Sequence, residues 1–417
     1  MSQTDLSPPE IAEVDESSAQ EHAASSRYAG MHFRELLRVI LVSPYEGAPA
    51  IFLLIALQYY QAPAGAKAFI ASSGFMGLLI APVVLTIFSH LAIPVSHAIS
   101  FLYALAGVAL AVVSFSDSLA FFLVAGAFSL MIPSCLPPLV TAMWQQNAPG
   151  QARGALFSRI YFIGMISKVI VGALISWWLG ADIDGFRLVI LMYSMFLLLA
   201  AVAVRGVKSE PVNRSSRNPL ARLNLIWRDP LFGYLLLIWF TFGFANLMTF
   251  PLRTEYIASG REFPAYSPMF VVILIEVVPT AFRLISLAFW GQLFDRINFI
   301  KLRLILNLFF GTSVVLFFIP NVYAQIVAMV ALGIGFGGGT IVWNLWVTKF
   351  AAPHQTADYM AVHTFLTGVR GVLGPFIGYY ILDYFSFSSI SLWAGGLVLL
   401  SILMLLPILR LGDRNRS

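Results

Sequence analysis

From about residue 40 to residue 410 the chain alternates between long apolar runs and short polar connections. A helix needs about 20 apolar residues to cross the roughly 30 Å of hydrocarbon in a bilayer, and twelve runs reach that length. Because backbone N–H and C=O groups must be satisfied inside lipid, we expect every run to be an α-helix. The predicted spans are residues 41–62, 68–89, 93–114, 119–143, 154–178, 186–204, 231–253, 268–292, 302–319, 323–347, 359–382 and 389–409.

One connection between these runs is long and polar. Residues 205–230 separate the sixth span from the seventh and carry six arginine and lysine residues. The pattern predicts an N-terminal six-helix half (41–204), a cytoplasmic linker (205–230) and a C-terminal six-helix half (231–410). Residues 1–40 are predicted to be a disordered acidic cytoplasmic tail followed by a juxtamembrane helix, and residues 411–417 a second cytoplasmic tail.

The composition of the chain agrees with a membrane protein. Apolar residues make up 59% of the 417 positions and charged residues only 11%, against about 25% charged residues in an ordinary soluble domain. This excludes a soluble enzyme and a nucleic-acid binder. Cys135 is the single cysteine, so no internal disulfide or cysteine-rich metal site is possible. We expect no cofactor, no metal and no enzymatic activity, and a monomer whose partners are membrane lipids and a small-molecule substrate.

The distribution of basic residues predicts the orientation. With the N-terminus inside, the inner segments hold 18 of the 25 lysine and arginine residues, as the positive-inside rule requires. The outer loops then hold Lys67, Arg187, Arg253 and Arg261. Both termini are therefore predicted to be cytoplasmic. The compact chain with short outer loops favours a bacterial inner membrane.

The two halves resemble each other at an offset of 204 residues. Ala148-Pro149, before span 5, corresponds to Ala352-Pro353, before span 11, and Gly164 corresponds to Gly368. Under the same offset, the prolines at 133, 137 and 138 in span 4 correspond to a triple glycine near residues 337–339 in span 10. Helix-breaking residues at matched points of two halves indicate a transporter binding site. The alternative is that Pro and Gly are simply common in membrane helices.

The end of span 8 carries a recognisable motif. Residues 290–296 have the sequence WGQLFDR, and Lys301 and Arg303 follow. The run resembles the G-x-L-x-D-R-x-x-x-R/K loop of the major facilitator superfamily of secondary transporters. The resemblance implies an all-α fold of twelve transmembrane helices in two pseudo-symmetric halves. It also implies that this cytoplasmic loop stabilises one access state, the alternative being a topology signal alone. The loop-motif residues are Gly291, Asp295, Arg296 and Lys301.

The sequence departs from the family pattern in two places. The loop after span 2, residues 88–94, lacks the charged residues of the motif. Span 5 lacks the Gly-Pro ending of many antiporters of the superfamily, although span 11 contains Gly374-Pro375. The second departure argues against drug/proton antiport.

A few charged residues fall within the predicted spans, where ionisable groups are costly and mark function. Glu276 and Arg283 lie on one face of span 8, about 10 Å apart along the helix axis, and therefore too far apart to pair. The family resemblance places spans 5 and 8 side by side, so that Lys168 meets Glu276, either as a structural ion pair or as a switch. The cations outnumber the anions, which favours an anionic substrate on Arg283 or Arg370. Alternatively, carbonyl groups and water satisfy the guanidinium groups.

The resemblance also implies that spans 1, 4, 7 and 10 surround the central cavity. Span 7 presents Trp239, Gly243, Asn246, Thr249 and Arg253 at helical spacing. Aromatic rings beside amides also suit a sugar. Glu46 and Glu276 are the only carboxylates expected within the helices, and either could carry a coupled proton; His363 is a weaker candidate. The predicted substrate-binding residues are Gln58, Asn246, Arg283, Asn344 and Arg370, and the predicted coupling or switch residues are Glu46, Lys168 and Glu276.

These observations predict a secondary active transporter that moves a small organic solute, preferably an anion such as an organic acid, by alternating access with proton coupling. The alternatives are a sugar or drug/metabolite transporter of the same fold and a transporter-like sensor that binds without translocation. A G-x-x-x-x-G-K-[ST] loop does not occur in the sequence, so direct use of ATP is not expected.

Overall fold

The computed structural model describes residues 30–147, 150–180, 183–211, 223–349, 351 and 355–409. The predicted acidic tail, residues 212–222 of the linker and the C-terminal tail lie outside these residues. Within the described part, the chain forms helices and no strands. Twelve helices are long and apolar enough to cross a membrane, as the hydrophobic pattern predicts. They are α1 Gly30–Gln58, α2 Ala64–Leu91, α3 Val95–Val113, α4 Leu119–Asn147, α5 Arg159–Leu179, α6 Phe186–Arg205, α7 Pro230–Ala258, α8 Pro268–Phe294, α9 Phe299–Phe317, α10 Val322–Trp343, α11 Asp358–Leu382 and α12 Phe387–Ile408.

The helices pack as two related groups of six. Helix α3 packs on α6 and α2 on α4 in the N-terminal half, and α9 packs on α12 and α8 on α10 in the C-terminal half. The halves meet through α2 with α11, α5 with α8, and α1 with α7. If α1–α6 correspond to α7–α12, then α2 corresponds to α8 and α11 corresponds to α5. The α2–α11 and α5–α8 contacts are therefore equivalent, with the halves exchanged. The fold is therefore an all-α membrane protein of two pseudo-symmetric halves, as predicted.

Three helices contain local breaks. Helix α1 includes a 3₁₀ turn, Ser43–Gly47, that has proline near its start. Helix α4 is interrupted at Leu136, after which Pro137 begins a new helical segment, because proline lacks the N–H that a continuous helix would use. Helix α8 contains a π-turn, Ile273–Val277. Such turns occur frequently at functional sites.

The predicted break in α10 is wrong. The helix continues through the three glycines without interruption. A Cβ at Gly338 would lie 2.7 Å from the Trp290 ring, so glycine here allows α8 and α10 to pack closely. Gly164 and Gly368 also mark close contacts, but with different partners: Gly164 lies against Ser43 in α1, and Gly368 lies against α2 in the other half.

Helix α1 begins at Gly30 and not at residue 41, so it contains the predicted juxtamembrane helix. Glu35 is 1% exposed and accepts hydrogen bonds from Arg38 at 2.6 and 2.7 Å and from Trp144 Nε1 at 2.8 Å. Arg38 also donates to the Tyr103 hydroxyl at 2.8 Å. Because the two charges neutralise each other inside the bundle, the helix continues where the sequence suggests an amphipathic surface segment.

Three basic residues assigned to loops are in fact buried in the bundle. Lys67 lies in α2, Arg253 lies in α7, which extends to Ala258, and Arg303 lies in α9. Their exposed fractions are 5%, 1% and 3%. The expectation that Glu46 and Glu276 are the only carboxylates within helices is also wrong, because Glu35 and Glu255 are both buried.

Candidate functional site

Four charged side chains meet where the two halves touch, and we call them the charge cluster: Glu46 of α1, Lys168 of α5, and Glu276 and Arg283 of α8. The Lys168 Nζ atom lies 3.4 Å from Glu276 Oε2 and 3.9 Å from Glu46 Oε2. An Arg283 Nη atom lies 4.0 Å from Glu46 Oε2. The expected contact between Lys168 and Glu276 is therefore present, and Glu46 joins the two cations.

Two members of the charge cluster lie in irregular turns of their helices. Glu46 lies in the 3₁₀ turn of α1, and Glu276 lies in the π-turn of α8. A Cβ at Gly47 would lie 3.0 Å from a carboxylate oxygen of Glu276, and a Cβ at Gly172 in α5 would lie 3.3 Å from Val277. Glycine at both positions therefore allows α1 and α5 to approach the π-turn closely.

Arg283 has polar partners on both halves. It donates to the Tyr161 hydroxyl of α5, and to Thr340 Oγ1 of α10 at 2.9 Å. The cluster contains two cations and two carboxylates, so its charges balance without a bound anion. The excess of positive charge expected from the sequence therefore does not lie here.

Glu46 is the accessible member of the cluster. Its side chain is 44% exposed, compared with 13% for Lys168 and Glu276 and 19% for Arg283. Glu46 is therefore the most exposed carboxylate of the cluster, while the Lys168–Glu276 pair is largely enclosed.

A second ion pair joins the halves at the end of the bundle where α1 ends and α2 begins. Lys67 Nζ lies 2.7 Å from both carboxylate oxygens of Glu255 in α7. The Lys67 ammonium also lies 5.2 Å from the ring centroid of Tyr379 in α11. At the same end, Gln58, a predicted substrate-binding residue, donates to the carbonyl of Ala258 at 3.3 Å. The halves are closed at this end by buried polar contacts.

The pocket between the halves near this closed end is apolar. Its lining residues come from α1, α2, α7 and α11, and they include Leu53, Phe75, Phe250 and Pro375. These side chains can enclose an apolar group but cannot recognise a charge. Of the described residues that line this pocket, only Thr254 carries a polar side chain.

The polar stripe on α7 faces the interior of the C-terminal half. The Trp239 ring contacts Arg303 of α9, its centroid 3.6 Å from the guanidinium carbon, and its carbonyl accepts a hydrogen bond from Arg370 of α11. Asn246 is 7% exposed, and its Oδ1 atom has no hydrogen-bond partner. Arg370 and Asn246 are therefore buried and separate from the charge cluster.

Of the predicted loop-motif residues, Arg296 and Lys301 are exposed at one end of the bundle. Gly291 lies close to α10, since a Cβ there would be 3.8 Å from Ile341. Asp295 and Asn344 belong to helices, but their side chains lie outside the described part of the structure.

The sequence reasoning missed Lys67 and Glu255 as interior groups, and it assigned Arg303 to the loop after span 8. Arg303 could have been found from its spacing, because Phe299, Leu306 and Phe310 share its helical face and are all buried. Glu255 and Lys67 gave no comparable signal, since each lies near the end of a predicted span, where charge is normal.

Comparison with known proteins places this geometry in context. The family model described as Major Facilitator Superfamily matches residues 274–417. No curated protein matches the chain by sequence. The nucleoside transporter NupG is 12% identical with a TM-score of 0.72, over 92% of this chain and 99% of NupG. A D-xylose-proton symporter is 12% identical with a TM-score of 0.66, over 91% and 97%. A peptide transporter POT, solved in complex with sulfate, is 13% identical with a TM-score of 0.69, over 93% and 96%.

The twelve-helix fold is the fold of these solved transporters. Residues 274–417, about a third of the chain, match the Major Facilitator Superfamily model, and this region includes the motif at the end of α8 from which the resemblance was predicted.

Proposed function

We propose that this protein moves a small organic anion across the membrane by alternating access, with proton coupling through the charge cluster. The observation that carries the proposal is the position of Lys168, on α5 of one half, 3.4 Å from Glu276 on α8 of the other. Neutralising one carboxylate there changes the attraction between the halves. In this proposal the protein is a transporter and not an enzyme.

The coupling step involves only side chains of the cluster. When Glu276 accepts a proton, Lys168 loses its nearer anion and keeps Glu46 at 3.9 Å. The electrostatic attraction between α5 and α8 falls, and the halves can separate on that side. Loss of the proton restores the ion pair and closes the contact. Glu46, being exposed, is the group through which a proton reaches the enclosed pair.

The charge balance of the C-terminal half supports an anionic substrate. Within the described residues, Arg303 and Arg370 are both at least nine-tenths buried and form no ion pair. The buried glutamates Glu35 and Glu255 each have a basic partner. A positive excess in a membrane interior requires a compensating partner, and a bound anion supplies it.

The proposal also includes the orientation of the protein in the membrane, its oligomeric state and the role of the loop motif. The distribution of basic residues supports cytoplasmic termini, and the short loops support a bacterial inner membrane. We also propose a monomer in which the loop motif at Gly291, Asp295, Arg296 and Lys301 stabilises one access state.

The proposal is tested in proteoliposomes with an imposed pH gradient and a series of radiolabelled organic acids, with D-xylose and a nucleoside as neutral solutes. The intact protein should accumulate at least one acid against its gradient. Glu276→Gln should abolish accumulation but retain exchange across the membrane, because the proton site is lost while the solute path stays. Asp117→Asn, in an exposed ion pair with Arg187, is the matched control and should behave like the intact protein. Accumulation of a neutral solute alone would refute the anionic substrate, and binding without any flux would indicate a sensor.

A further inference from the structure

A group of buried cations and aromatic rings lies within the C-terminal half, apart from the charge cluster. We call it the Trp239 cage, and it consists of Trp239 of α7, Arg303 of α9, and His363 and Arg370 of α11. We infer that the Trp239 cage binds an organic carboxylate with a flat or apolar body. The inference rests on the proposed function for the anionic substrate and assigns that substrate a place.

The cage is built around one tryptophan. The guanidinium carbon of Arg303 lies 3.6 Å from the ring centroid of Trp239 and 4.3 Å from that of Phe242. Arg370 donates to the main-chain carbonyl of Trp239, and to Thr367 Oγ1 at 3.1 Å. The cage therefore holds two guanidinium groups, each oriented by contacts to α7.

An imidazole completes the cage. The ring centroid of His363 lies 4.9 Å from that of Trp239, and 5.4 Å from both Trp343 and Trp346. The indole rings enclose it, and its exposed fraction is 1%. His363, predicted as a weak candidate for proton transfer, instead belongs to the wall of the Trp239 cage.

Several donors in the cage have no partner. The Nε and one Nη atom of Arg303 form no hydrogen bond, nor do the Nε atom of Arg370 and the Nε2 atom of His363. The exposed fractions of the two arginines are 3% and 6%. Arginine stays protonated in proteins, and buried polar groups are normally hydrogen-bonded. The described residues supply no anion, so the positive charge is left for a ligand to balance.

The local sequence makes room for this arrangement. A Cβ at Gly243 would overlap the guanidinium of Arg370, so only glycine lets that side chain lie along α7. The planar fork of a guanidinium matches the two oxygens of a carboxylate. The ring faces of the cage match a flat or apolar body. A carboxylate entering the cage would take the place of the Trp239 carbonyl as the partner of Arg370.

Arg253 shows that burial of an arginine does not by itself make such a site. Its three guanidinium nitrogens also lack partners, and its guanidinium carbon lies 5.5 and 5.9 Å from the ring centroids of Phe250 and Phe317. No second cation or histidine is described beside it. Arg253 is therefore the matched control: the same residue type, equally buried and also flanked by rings, but outside the cage.

The test measures binding of benzoate to the full-length protein in detergent by titration calorimetry and thermal shift. Acetate, sulfate and the neutral benzamide are compared at constant ionic strength. Benzoate should bind and raise Tm, acetate should bind at least tenfold more weakly, and benzamide should not bind. Arg303→Met and Arg370→Met should each raise the Kd for benzoate at least tenfold, whereas Arg253→Met should leave it unchanged. Arg370→Lys and His363→Gln provide milder variants if a methionine variant folds poorly.

Three results with benzoate would overturn the assignment. These are absence of benzoate binding, an unchanged Kd in both cage variants, or an equal loss of binding in Arg253→Met. Binding of sulfate as tight as benzoate would show an inorganic anion site and would also overturn it. Because binding is measured without a membrane, normal benzoate binding together with absent transport would refute the proposed function and leave the cage assignment intact.

Discussion

The ion pair between Lys67 and Glu255 predicts how strongly the closed end of the bundle is held together. The side chains are 6% and 1% exposed, and they belong to opposite halves. Removing one partner from a buried pair costs about 3–5 kcal/mol, because the other charge stays buried and unpaired. This penalty applies only to the state in which the halves touch here. Glu255→Gln should therefore shift the equilibrium away from that state by about two to three and a half powers of ten, at about 1.4 kcal/mol per factor of ten.

The two single variants should differ in strength. In Glu255→Gln, Lys67 keeps only the ring of Tyr379, at 5.2 Å. In Lys67→Met, Glu255 keeps Arg261, whose Nε atom lies 4.0 Å away and whose side chain is 49% exposed. Glu255→Gln should consequently open this end more than Lys67→Met does. The double change Lys67→Met with Glu255→Leu should return most of the closed population, since an apolar pair replaces the ionic one.

Spin-label distances across the closed end measure this shift. Trp177 on α5 and Tyr323 on α10 are 71% and 76% exposed and belong to opposite halves. They can be replaced by labelled cysteines after Cys135→Ser removes the only native thiol. The intact pair should give mainly the short distance, and Glu255→Gln should add a longer one. Asp117→Asn is the control, because the Arg187–Asp117 pair lies at the same end but within one half. Identical distributions for Glu255→Gln and its parent would refute the reasoning.

Two further predictions concern glycines at close helix contacts. Gly47→Val should lower the rate of proton-driven transport without removing substrate binding. A Cβ at this position would lie 3.0 Å from a carboxylate oxygen of Glu276, so the valine side chain should displace that carboxylate. Flux and substrate binding, measured on the same preparation, check this prediction. Gly77→Ala should lower the free energy of unfolding by about 1–3 kcal/mol, because its methyl group would overlap the Met131 carbonyl of α4. In a denaturation titration Gly396→Ala, which meets nothing within 4 Å, should be neutral; equal effects of the two alanines would contradict the packing argument.

The sequence predicts the number of helices and the two halves well, because hydropathy depends on local composition that each span carries alone. It also predicts the contact of Lys168 with Glu276, since the family resemblance supplies the neighbouring helices. The start of α1 is not predictable in this way. Glu35 and Arg38 are indistinguishable in sequence from a surface pair, and only their contacts with α3 and α4 show that they are inside.

The Trp239 cage is beyond sequence reasoning for a related reason. Arg303 and Arg370 are 67 positions apart in the chain, and nothing in the sequence indicates that they lie close together. Their relation depends on both contacting Trp239, which is a property of how α7, α9 and α11 pack. Gly243 likewise cannot be distinguished in sequence from other glycines of membrane helices, because the sequence does not show which side chain lies against it.

The π-turn in α8 has a consequence for how this helix could have arisen. A π-turn contains one residue more than the α-helical turn it replaces, and each residue of an α-helix rotates the chain by about 100°. Deleting one residue within Ile273–Val277 would leave a regular helix that still spans the membrane. The segment before the deletion would rotate relative to Arg283, while the hydrophobic length stayed adequate. A single-codon insertion or deletion here would thus change which face of the first part of α8 meets α5, without loss of the transmembrane helix.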